Sequence, residues 1–370
     1  MILTRDRRPK VTGSNRRTIL NLATGGLWYL PKRFAAARVC GSYSLRCVLF
    51  HNICDTETVF TRGLAATITC DKFEAALRFF TRHYTPVSLR DVLSSSDGQP
   101  LPSRPILITF DDAYASVNDF AVPLCMEFRV PATFFVNAEC LDNQRLALDN
   151  LICFVFNWYG VNTLNQAISA VSQREGQEVA SLRELFSCFL PNISLAMRRA
   201  FRDALIKLTG AGEGELAAAA NLYLTSQQLR TLATRGVEVG NHTYTHVHCR
   251  SLSDNEFAEE IDRNKAQLEE ASGTSVRSFS LPYGSSADLT PALQSHLQRS
   301  GHEAVFLSES CANSPWATRY QLNRVTVTSG ADATLFSEIE ILPRIRTWKK
   351  RFARGGPPGF DTWRRDVPLR

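Results

Sequence analysis

The sequence predicts a distorted (β/α) barrel, on three observations. Strand-like and helix-like segments alternate along the chain, the clearest strand lacks polar alternation, and carboxylates and imidazoles stand where strands end. The clearest strand is Ile106 to Asp112, Ile-Leu-Ile-Thr-Phe-Asp-Asp. Five apolar or β-branched residues without alternation read as a strand covered on both faces, as in a parallel sheet. Parallel α/β folds bind ligands at the C-terminal ends of such strands. Two acids placed there repel each other unless a cation or a shared proton relieves them. A turn that happens to carry Asp-Asp, or a helix N-cap with an acidic first turn, fits the same residues.

Residues 236–246, Gly-Val-Glu-Val-Gly-Asn-His-Thr-Tyr-Thr-His, read as a short strand followed by His242 and His246. Two imidazoles and a carboxylate make a three-ligand set for a divalent metal, with one position left open for water or substrate. A surface turn with an unrelated histidine pair is the alternative. Phe279 to Gly284 again follows a strand and turns sharply at Pro282-Tyr283-Gly284. Residues 145–222 are rich in Ala, Leu, Glu and Arg and read as a helical insertion in a crossover, with Phe201, Leu205 and Leu208 on one face of a helix. Thr225 with Gln228, and Ser253 with Glu256, are capping boxes. The first opens a helix closed at Gly236, the second a helix that buries Phe257, Ile261 and Leu268 and ends near Gly273.

Taken in order, these segments resemble the polysaccharide deacetylases, the NodB homology domains of carbohydrate esterase family 4, in their exopolysaccharide-type branch. Thr109-Phe110-Asp111-Asp112-Ala113 matches a first motif Thr-Phe-Asp-Asp-Gly. His242-Thr243-Tyr244-Thr245-His246 matches His-Ser/Thr-x-x-His, and Pro282 to Gly284 matches a Pro-Tyr-Gly ending. Val48 to His51 and Pro131 to Val136 resemble the family's core strands, so the likeness spans roughly 45–140 and 222–330. It implies a NodB-type barrel that takes an acetylated saccharide. It also implies a divalent metal, zinc being the expected one, on Asp112, His242 and His246. Asp111 would be the general base, and Pro282, Tyr283 and Gly284 would shape the oxyanion site through the Tyr283 backbone N–H.

The chain departs from the family pattern at three places. Ala113 replaces the usual glycine, which costs about 1 kcal/mol if the position needs a positive φ. Ser280 stands where many members carry an arginine that pairs with the base. The late Leu-x-His motif that supplies the general acid has no match: no histidine follows His302, and Asn323 to Val327 fill that strand. His51, at the end of the first strand, is the remaining candidate to protonate the leaving amine; a hydrogen-bonded histidine at the barrel rim is the plainer alternative. An intact ligand set favours an enzyme, whereas the missing motif favours a carbohydrate-binding protein with decayed catalysis. Hydrolysis of another amide or ester is a third reading, because a fold does not fix the acyl substrate.

At 370 residues and 44% hydrophobic content, the chain suits one barrel with an insertion. The expected organisation is a basic extension at 1–40, the barrel at 41–330 and a basic tail at 331–370. Ten cysteines scattered without a Cys-x-x-Cys pair favour a reducing compartment over a disulfide scaffold. The apolar stretch Ile19 to Leu30 is interrupted by Asn21, Thr24 and two glycines and is too short to span a bilayer. A cytoplasmic protein is expected, with membrane association left open by the basic ends and export by the basic leader. The ends carry nine Lys/Arg against one acid (1–40) and nine against two (341–370), hence +8 and +7, leaving −9 for the body within the total of +6. Solvated tails are one reading. Peripheral contact with an anionic membrane is the other, and Trp28, Tyr29, Trp348 and Trp363 suit it. An acidic body without a recognised motif argues against nucleic acid.

Overall fold

In the computed structural model the protein is described over residues 44–95, 100–172, 178–210, 212–314 and 318–353. The 1–40 extension, the Ile19–Leu30 stretch, Cys40 and the chain beyond 353 lie outside the described residues. Seven strands form the barrel: β1 (Arg46–Phe50), β2 (Pro105–Phe110), β3 (Ala132–Val136), β4 (Glu238–Asn241), β5 (Ser278–Ser280), β6 (Ala304–Leu307) and β7 (Leu322–Thr326). Each pairs in parallel with the next in the chain, and β7 returns to β1 through Val48 opposite Val325, so the sheet closes. A two-residue strand, Thr85–Pro86, adds to β2 from outside the ring. Parallel closure turns every strand's C-terminal end to one rim. His51, Asp111, Asp112, His242 and Leu281 all come one or two residues after their strands end.

β1, β2, β3 and β6 are mainly apolar on both faces because both faces are covered. Cys47, Leu107, Phe135, Phe306 and Leu322 form one cluster. Val48, Phe50, Ile106, Ile108, Phe110 and Phe134 form another, which extends to Phe73 and Phe80 of the helix Cys70–His83. Phe50 and Phe110, opposite in register, stack at 5.7 Å, and Phe110 meets Phe134 edge-on at 6.2 Å. Gly240 has no substitute in this packing: a Cβ there would sit 2.3 Å from the Phe135 ring.

The insertion is helical as read, with Leu148–Tyr159, Val161–Val171, Leu195–Thr209 and Glu213–Ala220 as its main helices. Phe201 and Leu205 are buried, but Leu208 is 41% exposed, one residue before the last turn closes on left-handed Gly210. Both capping boxes form, at Thr225 and Ser253, and Phe257, Ile261 and Leu268 are buried. The fold runs past residue 330 as well. Asp332–Phe336 and Leu342–Ala353 are helices, Leu335 is fully buried, and Glu340 pairs with Arg46 of β1 at 3.0 Å. The basic stretch at 331–370 therefore begins inside the packed unit, because its first half carries apolar residues at helical spacing. No helix among the described residues is long and apolar enough to cross a membrane. The nine described cysteines are all unbridged.

Candidate metal centre

Asp112, His242 and His246 converge on one point. Asp112 Oδ1 lies 3.4 Å from the Nε2 atoms of both histidines, and the three ligand atoms fall within 4.8 Å of one another. The supports of each imidazole fix which nitrogen faces the group. His242 Nδ1 is 2.8 Å from the Ser280 carbonyl and His246 Nδ1 is 2.8 Å from Asp149 Oδ2. Each Nδ1 donates to its oxygen, so each Nε2 turns a lone pair toward Asp112. Asp112 Oδ1 is buried without a hydrogen-bond partner. An orphaned carboxylate oxygen facing two imidazole nitrogens is unfavourable unless a proton or a cation joins them. The residues themselves respond this way. Burial opposes their charge, yet Asp112 is held below the usual carboxylate range by His246 and His242, while Asp112 and Asp149 raise His246. A divalent cation would serve where the imidazole proton does, so the donor set fits a metal with oxygen and nitrogen ligands.

The backbone here is forced. Of eleven non-glycine residues with positive φ among the described residues, five lie in the three motifs: Asp112 (77°), Ala113 (58°), Thr243 (60°), His246 (54°) and Tyr283 (54°). Left-handed residues cost of order 1 kcal/mol each and persist where surrounding contacts over-determine them. Ala113 does occupy the conformation that favours glycine. The clamps are visible. Asn137 Nδ2 donates to the carbonyls of His242 and Thr243, and Glu260 receives the Thr245 N–H at 2.9 Å. Asn241, just before His242, bonds to Asn264 and to His302 Nε2 (3.1 Å).

Asp111 sits beside this group, 1% exposed, with Oδ2 3.5 Å from His242 Nε2. Its partner is Arg324 of β7, fully buried: Nη1 and Nη2 each donate to one carboxylate oxygen at 2.7 Å. Arg324 also donates to Ser280 Oγ at 2.6 Å, and its guanidinium lies 5.3 Å from the Phe135 ring. Burial alone would raise Asp111, but Arg324 outweighs it and holds the carboxyl below its ordinary value. The arginine expected at position 280 is thus supplied from two strands farther on, and Ser280 is small enough to admit it.

Arg324 and Asp149 were not legible as site residues. Asp149 belongs to the insertion: it accepts from His246 and from the Tyr283 hydroxyl and lies 3.8 Å from Arg198. A signal was present for Asp149, a charged residue within a mainly apolar run, since buried charges are almost always paired; Arg324, flanked by Asn323 and near Thr326, gave none. His51 stands on the same rim, half-buried; burial lowers its pKa against the pull of Asp112 and Asp111. Among the residues expected to shape an oxyanion site, the Tyr283 ring stacks on His248 at 4.2 Å, and the Gly284 N–H is used within the turn, bonding to Leu281 O.

His302 supplies a pH test of this second layer. It is 1% exposed, and burial drives its pKa from the ordinary 6.5 down to about 3. The unfolded chain takes up a proton below 6.5 that the folded chain refuses until about 3. Stability is therefore expected to fall across that window, by up to about 1.4 kcal/mol per pH unit from this one group. Replacing His302 by Gln should flatten the dependence of unfolding free energy on pH between 6 and 4 by close to one proton. An unchanged slope would show that His302 is not the group held neutral.

Comparison with known proteins agrees with the motifs. Residues 192–302 match the family model described as polysaccharide deacetylase, a span that contains the second and third motifs and begins downstream of Asp111 and Asp112. The deacetylase PplD of Streptococcus pyogenes shares the fold at 13% identity, covering 81% of this chain and 99% of that chain, with a TM-score of 0.53. IcaB from Ammonifex degensii does so at 19% identity, covering 81% and 98%, with a TM-score of 0.51. No curated protein matches the chain.

Proposed function

We propose that this polysaccharide deacetylase-type barrel is a metal-dependent hydrolase that removes acetyl groups from N-acetylated sugars of a polysaccharide or lipid-linked saccharide. The observation that carries the reading is the placement of the Asp112, His242 and His246 ligand set beside Asp111, a buried carboxylate kept ionised by Arg324. Asp112, His242 and His246 would hold the ion, and zinc suits two imidazoles with one carboxylate. When bound, the ion would polarise the acetyl carbonyl and acidify a water. The other tasks fall to the chain. Asp111 accepts the proton of the attacking water, and its fork with Arg324 holds it ionised and oriented for that transfer. The Tyr283 backbone N–H stabilises the oxyanion as the carbonyl becomes tetrahedral. Nitrogen departs only with a proton, because an amide anion is too basic to leave at neutral pH. His51 would donate it as the imidazolium, a form that burial makes more acidic and, at neutral pH, less populated.

The test is acetate release from a panel of N-acetylated oligosaccharides and from an activated aryl acetate. His51→Ala is expected to slow amide cleavage by about 10²-fold or more, the range for loss of a general acid. The aryl acetate, whose leaving group needs no proton, should be affected far less. Equal losses on both substrates would make His51 a positioning residue, and no loss on either would remove it from the reaction. A protein with full metal content that releases acetate from nothing on the panel would favour the carbohydrate-binding alternative, and cleavage of other amides or esters alone would favour the broader hydrolase.

A further inference from the structure

The helix Leu342–Ala353 carries five basic residues, Arg344, Arg346, Lys349, Lys350 and Arg351, and no acid. Its inner face is tied down: Pro343 is buried, Arg344 reaches Glu340, and Thr347 Oγ1 accepts the Ala312 N–H at 2.9 Å. Its outer face is apolar. Ile345, Trp348 and Phe352 are 42%, 52% and 47% exposed, and the two rings pack at 4.7 Å. At 3.6 residues per turn these three share one stripe with Lys349. Arg346 and Lys350 line one flank, Arg344 and Arg351 the other. An outward apolar stripe with aromatics, flanked by cations, is the pattern of a helix that lies in a lipid interface.

The helix also climbs toward the metal-binding rim. After the contact of Thr347 with Ala312, Arg346 donates to the Ser310 carbonyl and Lys350 to Glu309. Glu309 accepts the Ser286 N–H at 2.9 Å, two residues beyond Gly284. The half of the helix that carries Trp348 and Phe352 thus flanks the rim that bears the ligand set.

We infer that this helix docks the protein on an anionic bilayer surface with the metal-binding rim beside it. Charge complementarity selects the occupant: a second copy would oppose cations to cations, and a zwitterionic surface offers the flanking cations no net opposite charge. The docking stands without the functional reading. Resting on that reading, its consequence is that the acetylated saccharide is one presented at the bilayer, a lipid-linked chain.

Co-sedimentation of the full chain with vesicles tests this without any turnover assay, so failure of the deacetylase reading leaves the result interpretable. Vesicles of phosphatidylcholine with phosphatidylglycerol would be compared with phosphatidylcholine alone. The chain is expected to sediment with the anionic vesicles and to be released as salt rises. Trp348→Ala with Phe352→Ala, and separately Arg346→Glu with Lys349→Glu, should each weaken binding by about tenfold or more, with circular dichroism unchanged. Equal sedimentation of the aromatic variant and the parent would overturn the proposal, as would no sedimentation of the parent. A dimer in light scattering that the aromatic variant converts to monomer would overturn it too, in favour of an interface between copies.

Discussion

His242→Ala and His246→Ala are each expected to abolish bound metal and bring turnover to background, and Asp112→Ala to do the same. The reason is geometric. Each residue supplies one ligand atom, the three atoms lie within 4.8 Å of one another, and Asp112 Oδ1 is buried with no hydrogen bond to fall back on. Neighbouring residues should grade the effect. Asp149 holds His246 by its Nδ1 at 2.8 Å and touches the metal group only through it. Asp149→Ala should therefore weaken metal affinity by about 10–100-fold without eliminating it, the usual range for a group that orients a ligand. His248, two residues beyond His246, is the competing ligand by sequence alone. Its ring stacks on Tyr283, and burial drives its pKa to about 4. His248→Ala should leave one metal per chain. Elemental analysis of the purified variants decides the matter. Stoichiometric metal in His242→Ala, or its loss in His248→Ala, would move the site.

What could be read from the residues, and what could not, divides along sequence separation. The strands and the rim were legible because alternating strands and helices, unbroken apolar runs and polar strand ends are local patterns. The ligand set was legible because two of its members lie four residues apart and the third ends a strand. Barrel closure by seven strands was not legible, since it depends on β1 meeting both β2 and β7. Nor were the partners that tune the site. Arg324 is 213 residues from Asp111, and Asp149 is 97 from His246. No local period relates such pairs. The absence of an arginine at 280 read as a deficiency, whereas a serine there leaves room for a guanidinium arriving from β7. Leu208 shows the opposite failure: its helical spacing was right, but the packed face ends one turn earlier.

Removing Arg324 should have the largest effect on stability of any single change at this site. Its guanidinium is fully buried and holds both oxygens of a carboxylate that is itself 1% exposed. In Arg324→Met that carboxylate loses its charge partner, and breaking a buried pair from one side costs about 3–5 kcal/mol. The pH dependence should change sign with it. In the parent, Asp111 is held below its ordinary 3.8, so its contribution is present above that value and is lost as pH falls through the lower folded value. Without Arg324, burial prevails and raises the folded value. The variant, measured free of metal, should then lose stability as pH rises through the unfolded value near 3.8 and recover it in acid. Arg324→Lys keeps a charge but not the two-pronged geometry, so it should restore part of the stability and less of the rate. The decisive comparison is Arg324→Met combined with Asp111→Asn. If the pair is a unit, the double variant should be more stable than Arg324→Met alone. It should remain as slow as Asp111→Asn, about 10²–10⁴-fold below the parent. Additive stability losses would show that Arg324 supports the barrel through β7, and that Asp111 is kept ionised by some other group.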